Sequence, residues 1–253
     1  LTQTLWPSGR AVFDNVKVMA LMESAQEPDK GRYEIAASTG TTVPNAAGRL
    51  QIWENSWPGH SYVIGADVAE GLEHGDYSAA VVIHHITGKQ VAQWHGHCDP
   101  DIFARVLYHL GMMYNTAYLV PERNNHGMAV VMSLTKTLLY PLAKIWTERH
   151  IEPPNRPLPR YGWLTTTASK PALIDNLIME FRDDTHGLVS REIFLEMLTY
   201  VQDSQGRFGA QQGRHDDLIM AAAIAKYTRT KITLPASAGK PYTAPVNNIE
   251  AHF

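Results

Sequence analysis

Tyr62-Val63-Ile64-Gly65-Ala66-Asp67 is a β-prone apolar run that ends on a carboxylate and opens toward the glycines Gly71 and Gly75. Strand alternation puts Val63, Gly65 and Asp67 on one face and Tyr62, Ile64 and Ala66 on the other, with Gly65 leaving room beside the carboxylate. A carboxylate carried by an apolar strand faces a desolvation cost unless a charge partner or a metal offsets it. The same aspartate also suits a cap on the glycine turn that follows. The run by itself leaves both readings open.

Downstream, Ser78 to His85 and Lys89 to His95 read as two further strands joined through Thr87-Gly88, so three antiparallel strands follow one another. Asp101 to Tyr114 carries Ile102, Val106, Leu107 and Leu110 at helical spacing, with Asp99 or Asp101 as N-cap. Ala117 to Pro121 is a short buried strand that ends at Glu122, and Gly127 to Leu139 is apolar enough for another helix. Lys170 to Asp183 resumes helical spacing. Leu198 to Gln202 and Arg207 to Ala210 flank Ser204-Gln205-Gly206 as a hairpin, and Asp216 to Tyr227 is an alanine-rich helix.

The flanks read differently. Residues 1–57 mix turn formers with short apolar runs and are expected to form a connecting region, with a short helix over Phe13 to Met22 and a strand over Arg49 to Glu54. Pro153, Pro154, Pro157 and Pro159 exclude a helix and indicate an exposed excursion or irregular hairpin. Residues 58–231 form the main domain. Residues 232–253, with Pro235, Gly239, Pro241 and Pro245, are expected to be a disordered tail.

With 253 residues and 44% hydrophobic composition the chain can bury one substantial core. Its single cysteine, Cys98, has no intramolecular partner, and no apolar stretch reaches the ~18 residues of a membrane span, so a soluble protein of a reducing compartment is expected. The chain opens on Leu1 with no signal segment, as a fragment of a longer polypeptide would. A formal charge of -3 argues against a surface that is basic throughout, so contact with nucleic acid must come from local patches.

Three acidic positions close or open elements: Asp67, Glu122, and the pair Asp216-Asp217. Three or four carboxylates at converging element ends are what two oxygen-liganded Mg2+ or Mn2+ ions require. Taken singly, Glu122 also fits a surface carboxylate, and Asp216-Asp217 also fits an acidic helix start favoured by the macrodipole. Lys170 can neutralise a phosphate or be a solvated helix-start lysine. Arg207 and Arg214 can hold a DNA backbone or be ordinary surface arginines. Asp76 can face the same cleft or cap the preceding turn, and His215 can orient a carboxylate or water or be a structural histidine. His95-Gly96-His97-Cys98 offers metal donors, but no further ligand with zinc-site spacing is evident. His84 and His85 point to opposite strand faces and cannot easily share a metal.

The order of these motifs resembles the RNase H-like superfamily and, more narrowly, the C-terminal nuclease domain of a tailed-bacteriophage large terminase subunit. The residues that carry the likeness, within roughly Trp53 to Thr228, are Tyr62 to Asp67 with Gly71 and Gly75 to Ser78, Pro121 to Gly127, Gly162 to Thr166, Lys170-Pro171, and Gly213-Arg214-His215-Asp216-Asp217. The resemblance implies an α/β fold with a mixed central β-sheet, its first three strands antiparallel, flanked by α-helices. It implies a metal-dependent endonuclease that cuts double-stranded, concatemeric viral DNA during packaging. Asp67, Glu122 and Asp217 would be catalytic, and with Asp216 would hold two Mg2+ or Mn2+ ions. No Gly-x-x-x-x-Gly-Lys-Ser/Thr phosphate loop occurs, so no ATP is expected as a cofactor here, and the ATPase motor of such proteins would precede residues 1–57. The small terminase subunit and the portal would be partners, the host cytoplasm the setting, and no membrane would be involved. A Holliday-junction resolvase or recombinase-like nuclease, or a non-catalytic packaging module, would share the same fold.

Overall fold

In the computed structural model, which describes residues 9–70, 77–152 and 156–234, the chain opens with a two-residue strand β1 (Arg10–Ala11). Helix α1 (Asn15–Ser24) follows, started by Asp14, whose carboxylate accepts the Val16 and Lys17 amides at 2.9 and 3.3 Å. Strands β2 (Gly31–Ile35), β3 (Thr42–Pro44) and β4 (Leu50–Ile52) come next, then β5 (Tyr62–Asp67), β6 (Ser78–His84) and β7 (Gln90–Gly96). Helix α2 (Pro100–Met113) has Asp99 at its N-cap position and Pro100 at its first turn, where proline's missing N–H costs nothing. After β8 (Tyr118–Pro121), helix α3 (Gly127–Met132) widens into a π turn at Ser133–Thr137. A two-stranded hairpin β9 (Thr147–Glu152) and β10 (Arg156–Tyr161) precedes α4 (Ser169–Arg182) and α5 (Arg191–Leu198). Strands β11 (Tyr200–Gln202) and β12 (Phe208–Ala210) lead to α6 (Asp217–Arg229).

The main sheet has seven strands in the order β3-β2-β4-β7-β6-β5-β8, all antiparallel except the β5-β8 pair. The expected mixed sheet with three antiparallel core strands is therefore present. The parallel pair needs a crossover, which α2 provides. A small second sheet joins β1, β11 and β12.

Residues 31–52, read from sequence as part of a connecting region, are instead three strands of the main sheet. Leu50 pairs with Trp94 and Ile52 with Ala92, and both aliphatic side chains are buried. Runs this short show no periodicity of their own; pairing orders them, β4 on β7, β2 on β4 and β3 on β2. The expected helix near Phe13 to Met22 is α1, and the Arg49 to Glu54 strand is β4. The Pro-rich segment is the hairpin β9–β10. Of residues 232–253, expected as a disordered tail, Ile232 and Leu234 instead pack against the core, and residues 235–253 lie outside the described residues.

Strand alternation divides the core in two. Val63, Ala79, Val81 and Ile83 face a cluster built with α4, α5 and α6, while Tyr62, Ile64, Ala66, Ala80 and Val82 face one built with α2 and α3. Helices on both faces explain why β5 and β6 read as nearly continuous apolar runs. Among the described residues, no helix is long and apolar enough to cross a membrane.

Candidate metal centre

Asp67 and Glu122 meet because β5 and β8 are parallel neighbours. Ala66 stands opposite Pro121, and the Glu122 amide donates to the Ala66 carbonyl at 2.8 Å. The two carboxylates leave the sheet at the same edge and share a hydrogen bond. Glu122 is fixed from both sides. The Arg123 amide donates to the Trp163 carbonyl at 2.8 Å, and Gly127 lies so close that a Cβ there would sit 1.9 Å from the Glu122 carbonyl oxygen. Only glycine permits α3 to start over the carbonyl of Glu122. That is the physical content of the Pro121 to Gly127 motif.

Helix α6 brings the late acidic pair to the same edge. A Cβ on Gly65 would lie 2.2 Å from the Ala221 carbonyl oxygen and 2.6 Å from the Ala225 amide nitrogen. The space that the sequence suggested beside the Asp67 carboxylate is therefore filled by the α6 backbone. From this crossing, two residues along β5 advance about 6.6 Å to Asp67, and four residues back along α6 retreat about 6 Å to Asp217. The close approach at Gly65 thus sets Asp217 against Asp67. Asp217 is buried at 5% exposure, and Asp216 holds the N-cap position.

Electrostatically the group is crowded. Burial pushes the half-buried Asp67 carboxyl well above the usual carboxylate range; the hydrogen bond and charge of Glu122 push it further, followed by the charges of Asp217 and Asp216. Partial compensation comes from dipoles. The Val68 amide donates to Asp67 Oδ1 at 3.0 Å, the Tyr77 amide to Asp217 Oδ2 at 3.4 Å, and the α6 N-terminus favours negative charge nearby. Lys170 Nζ lies 3.4 Å from Asp216 Oδ2, and His215 Nδ1 lies 3.7 Å from Asp217 Oδ2.

Two groups outside the expected acidic set also converge here. Glu196, on α5, accepts the Leu218 and Ile219 amides at 3.4 and 2.9 Å, so it caps α6 from another helix. Burial raises its carboxyl to about 8, against those amides and aided by the Asp217 charge. The segment Ser190 to Leu198 carried a readable signal: an N-cap serine, whose Oγ accepts the Ile193 amide at 3.4 Å, followed by Ile193, Phe194 and Met197 at helical spacing. His95, set aside as part of a local zinc-like motif, points its Nε2 at Asp217 Oδ2 at 4.0 Å. One donor atom from each of His95, Glu196 and Asp217 lies within 4.8 Å of the other two.

The remaining expected residues fall as follows. Arg207 is exposed and engages Asp203 at 2.7 Å across the β11–β12 turn, and Arg214 is exposed in the turn before α6. Asp76, with Gly71 and Gly75, lies outside the described residues. His97 stacks on Tyr77 at 3.8 Å between ring centroids, while burial pushes the Cys98 thiol up to about 12, far from a metal-ready thiolate. His84 bonds His60 at 2.8 Å and His85 turns to the Ile232 carbonyl at 3.3 Å, on opposite faces as expected.

No family model and no curated protein matches this sequence. Solved structures do. The large terminase nuclease from thermophilic phage G20c with bound magnesium superposes with a TM-score of 0.56 at 21% identity, covering 83% of this chain and 96% of that one. The same nuclease with bound cobalt gives 0.56 at 22% identity over 83% and 96%. The Thermus phage P74-26 large terminase nuclease domain gives 0.53 at 20% identity over 82% and 93%. The chain therefore has the RNase H-like fold of these terminase nuclease domains.

Proposed function

We propose that a chain with this fold and this acidic edge is a metal-dependent DNA endonuclease that acts in phage genome packaging. The observation that supports it most is the convergence of Asp67, Glu122 and Asp217 from the ends of β5, β8 and the start of α6, with Asp216 beside them. Four carboxylates gathered at one edge and partly desolvated fit hard divalent cations with oxygen ligands, Mg2+ or Mn2+. Two such ions, when bound, would activate water and stabilise the leaving oxygen of a phosphodiester.

In this reading Asp67 and Asp217 hold one ion, Glu122 helps to hold the other, and Asp216 is auxiliary. Lys170, anchored on Asp216, offers an ammonium to a phosphate at the rim. Arg207 and Arg214, on the exposed hairpin and the turn after it, supply backbone contacts to double-stranded DNA. His215 orients the Asp217 carboxylate. The biological act would be the cutting of concatemeric genomes in the host cytoplasm, with an ATPase motor, the small terminase subunit and the portal as partners.

Asp67→Ala tests this directly. Nicking of supercoiled plasmid in Mg2+ or Mn2+ is expected to fall by about a hundredfold or more, with the circular dichroism spectrum kept. Undiminished nicking by that variant would remove Asp67 from the chemistry. Selective cutting of four-way junctions over plasmid by the wild type would move the reading to a resolvase.

A further inference from the structure

We infer that His95, Glu196 and Asp217 form a second, nitrogen-containing metal subsite that takes a late first-row divalent ion of the Co2+ or Zn2+ class in preference to Mg2+. The inference rests on the proposed metal centre only in sharing Asp217 with it.

The sheet register builds the subsite. Asp67 stands opposite Ala79 on β6, and Ala79 stands opposite His95 on β7. Asp67 and His95 therefore project from the same face, two strands and roughly 10 Å apart, with only a methyl group between them. The start of α6 sits over that gap, so Asp217 lies between two ligand pairs: Asp67 with Glu122 on one side, His95 with Glu196 on the other. Tyr77 packs on His95 with 4.6 Å between ring centroids and holds the imidazole in place.

His95 Nε2 is shielded from solvent and has no hydrogen-bond partner among the described residues; its approach to Asp217 at 4.0 Å is too long for one. A buried ring nitrogen without a partner is costly, and a metal ion would satisfy it. Ligands of a tetrahedral ion of this class stand about 3.4 Å apart, so donor atoms that already lie within 4.8 Å of one another come into range by side-chain shifts of about an ångström. Glu196 can serve while it caps α6. Its carboxylate has about four acceptor positions, and the Leu218 and Ile219 amides occupy two. An imidazole nitrogen beside two carboxylates favours later first-row metals, whereas the all-oxygen pair Asp67 and Glu122 suits Mg2+ or Mn2+.

The test uses the full chain stripped with EDTA and titrated with Co2+ alone, read by visible ligand-field absorption, with Mg2+ binding measured in parallel. His95→Ala is expected to weaken Co2+ by about tenfold or more, and to change Mg2+ affinity by less than about twofold. Glu196→Gln should weaken Co2+ in the same direction, and His97→Ala should not. In the Co2+-loaded wild type the His95 ring protons should be paramagnetically shifted in the proton spectrum, a readout that needs no variant to fold. Unshifted His95 protons, or wild-type Co2+ affinity in both His95→Ala and Glu196→Gln, would overturn the subsite. Asp67→Asn separates the two readings: it should lose DNA nicking yet keep the Co2+ absorption.

Discussion

The two ends of α6 handle buried charge in opposite ways. At the C-terminal end, Lys226 is fully buried, its Nζ lies 2.6 Å from Glu180 Oε2 and donates to the Gly88 carbonyl at 2.9 Å, and Arg229 adds a second cation 3.4 Å from Glu180 Oε1. The one carboxylate there is met by two cations among the described residues. At the N-terminal end Asp67, Glu122, Glu196, Asp216 and Asp217 gather, and Lys170 is the ammonium that the described residues bring to them. The helix dipole suits both arrangements, acids at the start and cations in the last turn, yet it is worth at most about 2 kcal/mol per charge. It cannot balance so many carboxylates. One end of the helix is a closed structural network; the other sets one ammonium against five carboxylates among the described residues, and that imbalance is what points to metal binding.

The largest expected effect breaks the closed end. Lys226→Ala leaves Glu180 buried with Arg229 as its remaining partner, and should cost about 3–5 kcal/mol of stability in urea titration. A cost under about 1 kcal/mol would mean that the network is not what fixes the helix. The next effect closes the open end. An ion that binds only the native state adds about 2.7 kcal/mol at a hundred times its dissociation constant, so millimolar Mn2+ should raise the melting temperature of the EDTA-treated chain. Asp67→Asn should shrink that rise. A wild type insensitive to Mn2+ would reduce the acidic edge to a surface without a ligand.

How far this contrast could be read in advance depends on where each feature is encoded. Strands β5 to β7 and helix α2 were legible because their own residues form short β-prone apolar runs or a helical pattern, and Thr87-Gly88 marks the turn between two of them. Asp67, Glu122 and Asp217 were legible as element ends and through their order. Strands β1 to β3, by contrast, are two to five residues long and exist through pairing, which no local pattern announces. Glu196 was invisible for a related reason: its partners Leu218 and Ile219 lie 22 and 23 residues away, across two short strands. His95 was read with its sequence neighbours His97 and Cys98, whereas the groups it meets in space, Glu196 and Asp217, come from α5 and α6.

A smaller effect tests the link between the helix and the strand. Gly65→Ala places a methyl against the Ala221 carbonyl and the Ala225 amide, backbone atoms that yield only if α6 moves. Overpacking of this kind costs about 1–3 kcal/mol. Because the shift carries Asp217 away from Asp67, nicking should fall further than the lost stability accounts for. Gly209→Ala is the control, since a Cβ there meets nothing within 4 Å. Equal effects of the two substitutions would show that the Gly65 crossing does not set the acidic pair.

The smallest effect is in the pH dependence of the metal-free protein. The Glu196 carboxyl is raised to about 8 in the folded state, from an ordinary 4.5, chiefly by burial. Between those values the native state holds a proton that the unfolded chain has released, so stability falls as pH rises through the window. Asp67, raised by burial and by Glu122, acts with the same sign. Glu196→Gln removes one of these titrations and should flatten the decline without abolishing it, as read from melting temperatures in EDTA at stepped pH. Bound metal should reverse the trend, because ligation of a carboxylate or imidazole displaces its proton and binding tightens with pH. At the C-terminal end of the helix the described residues bring one carboxylate, Glu180, to two cations, Lys226 and Arg229. Parallel pH curves for wild type and Glu196→Gln would show that Glu196 is ionised in the folded chain, and that the open end is less crowded than its geometry indicates.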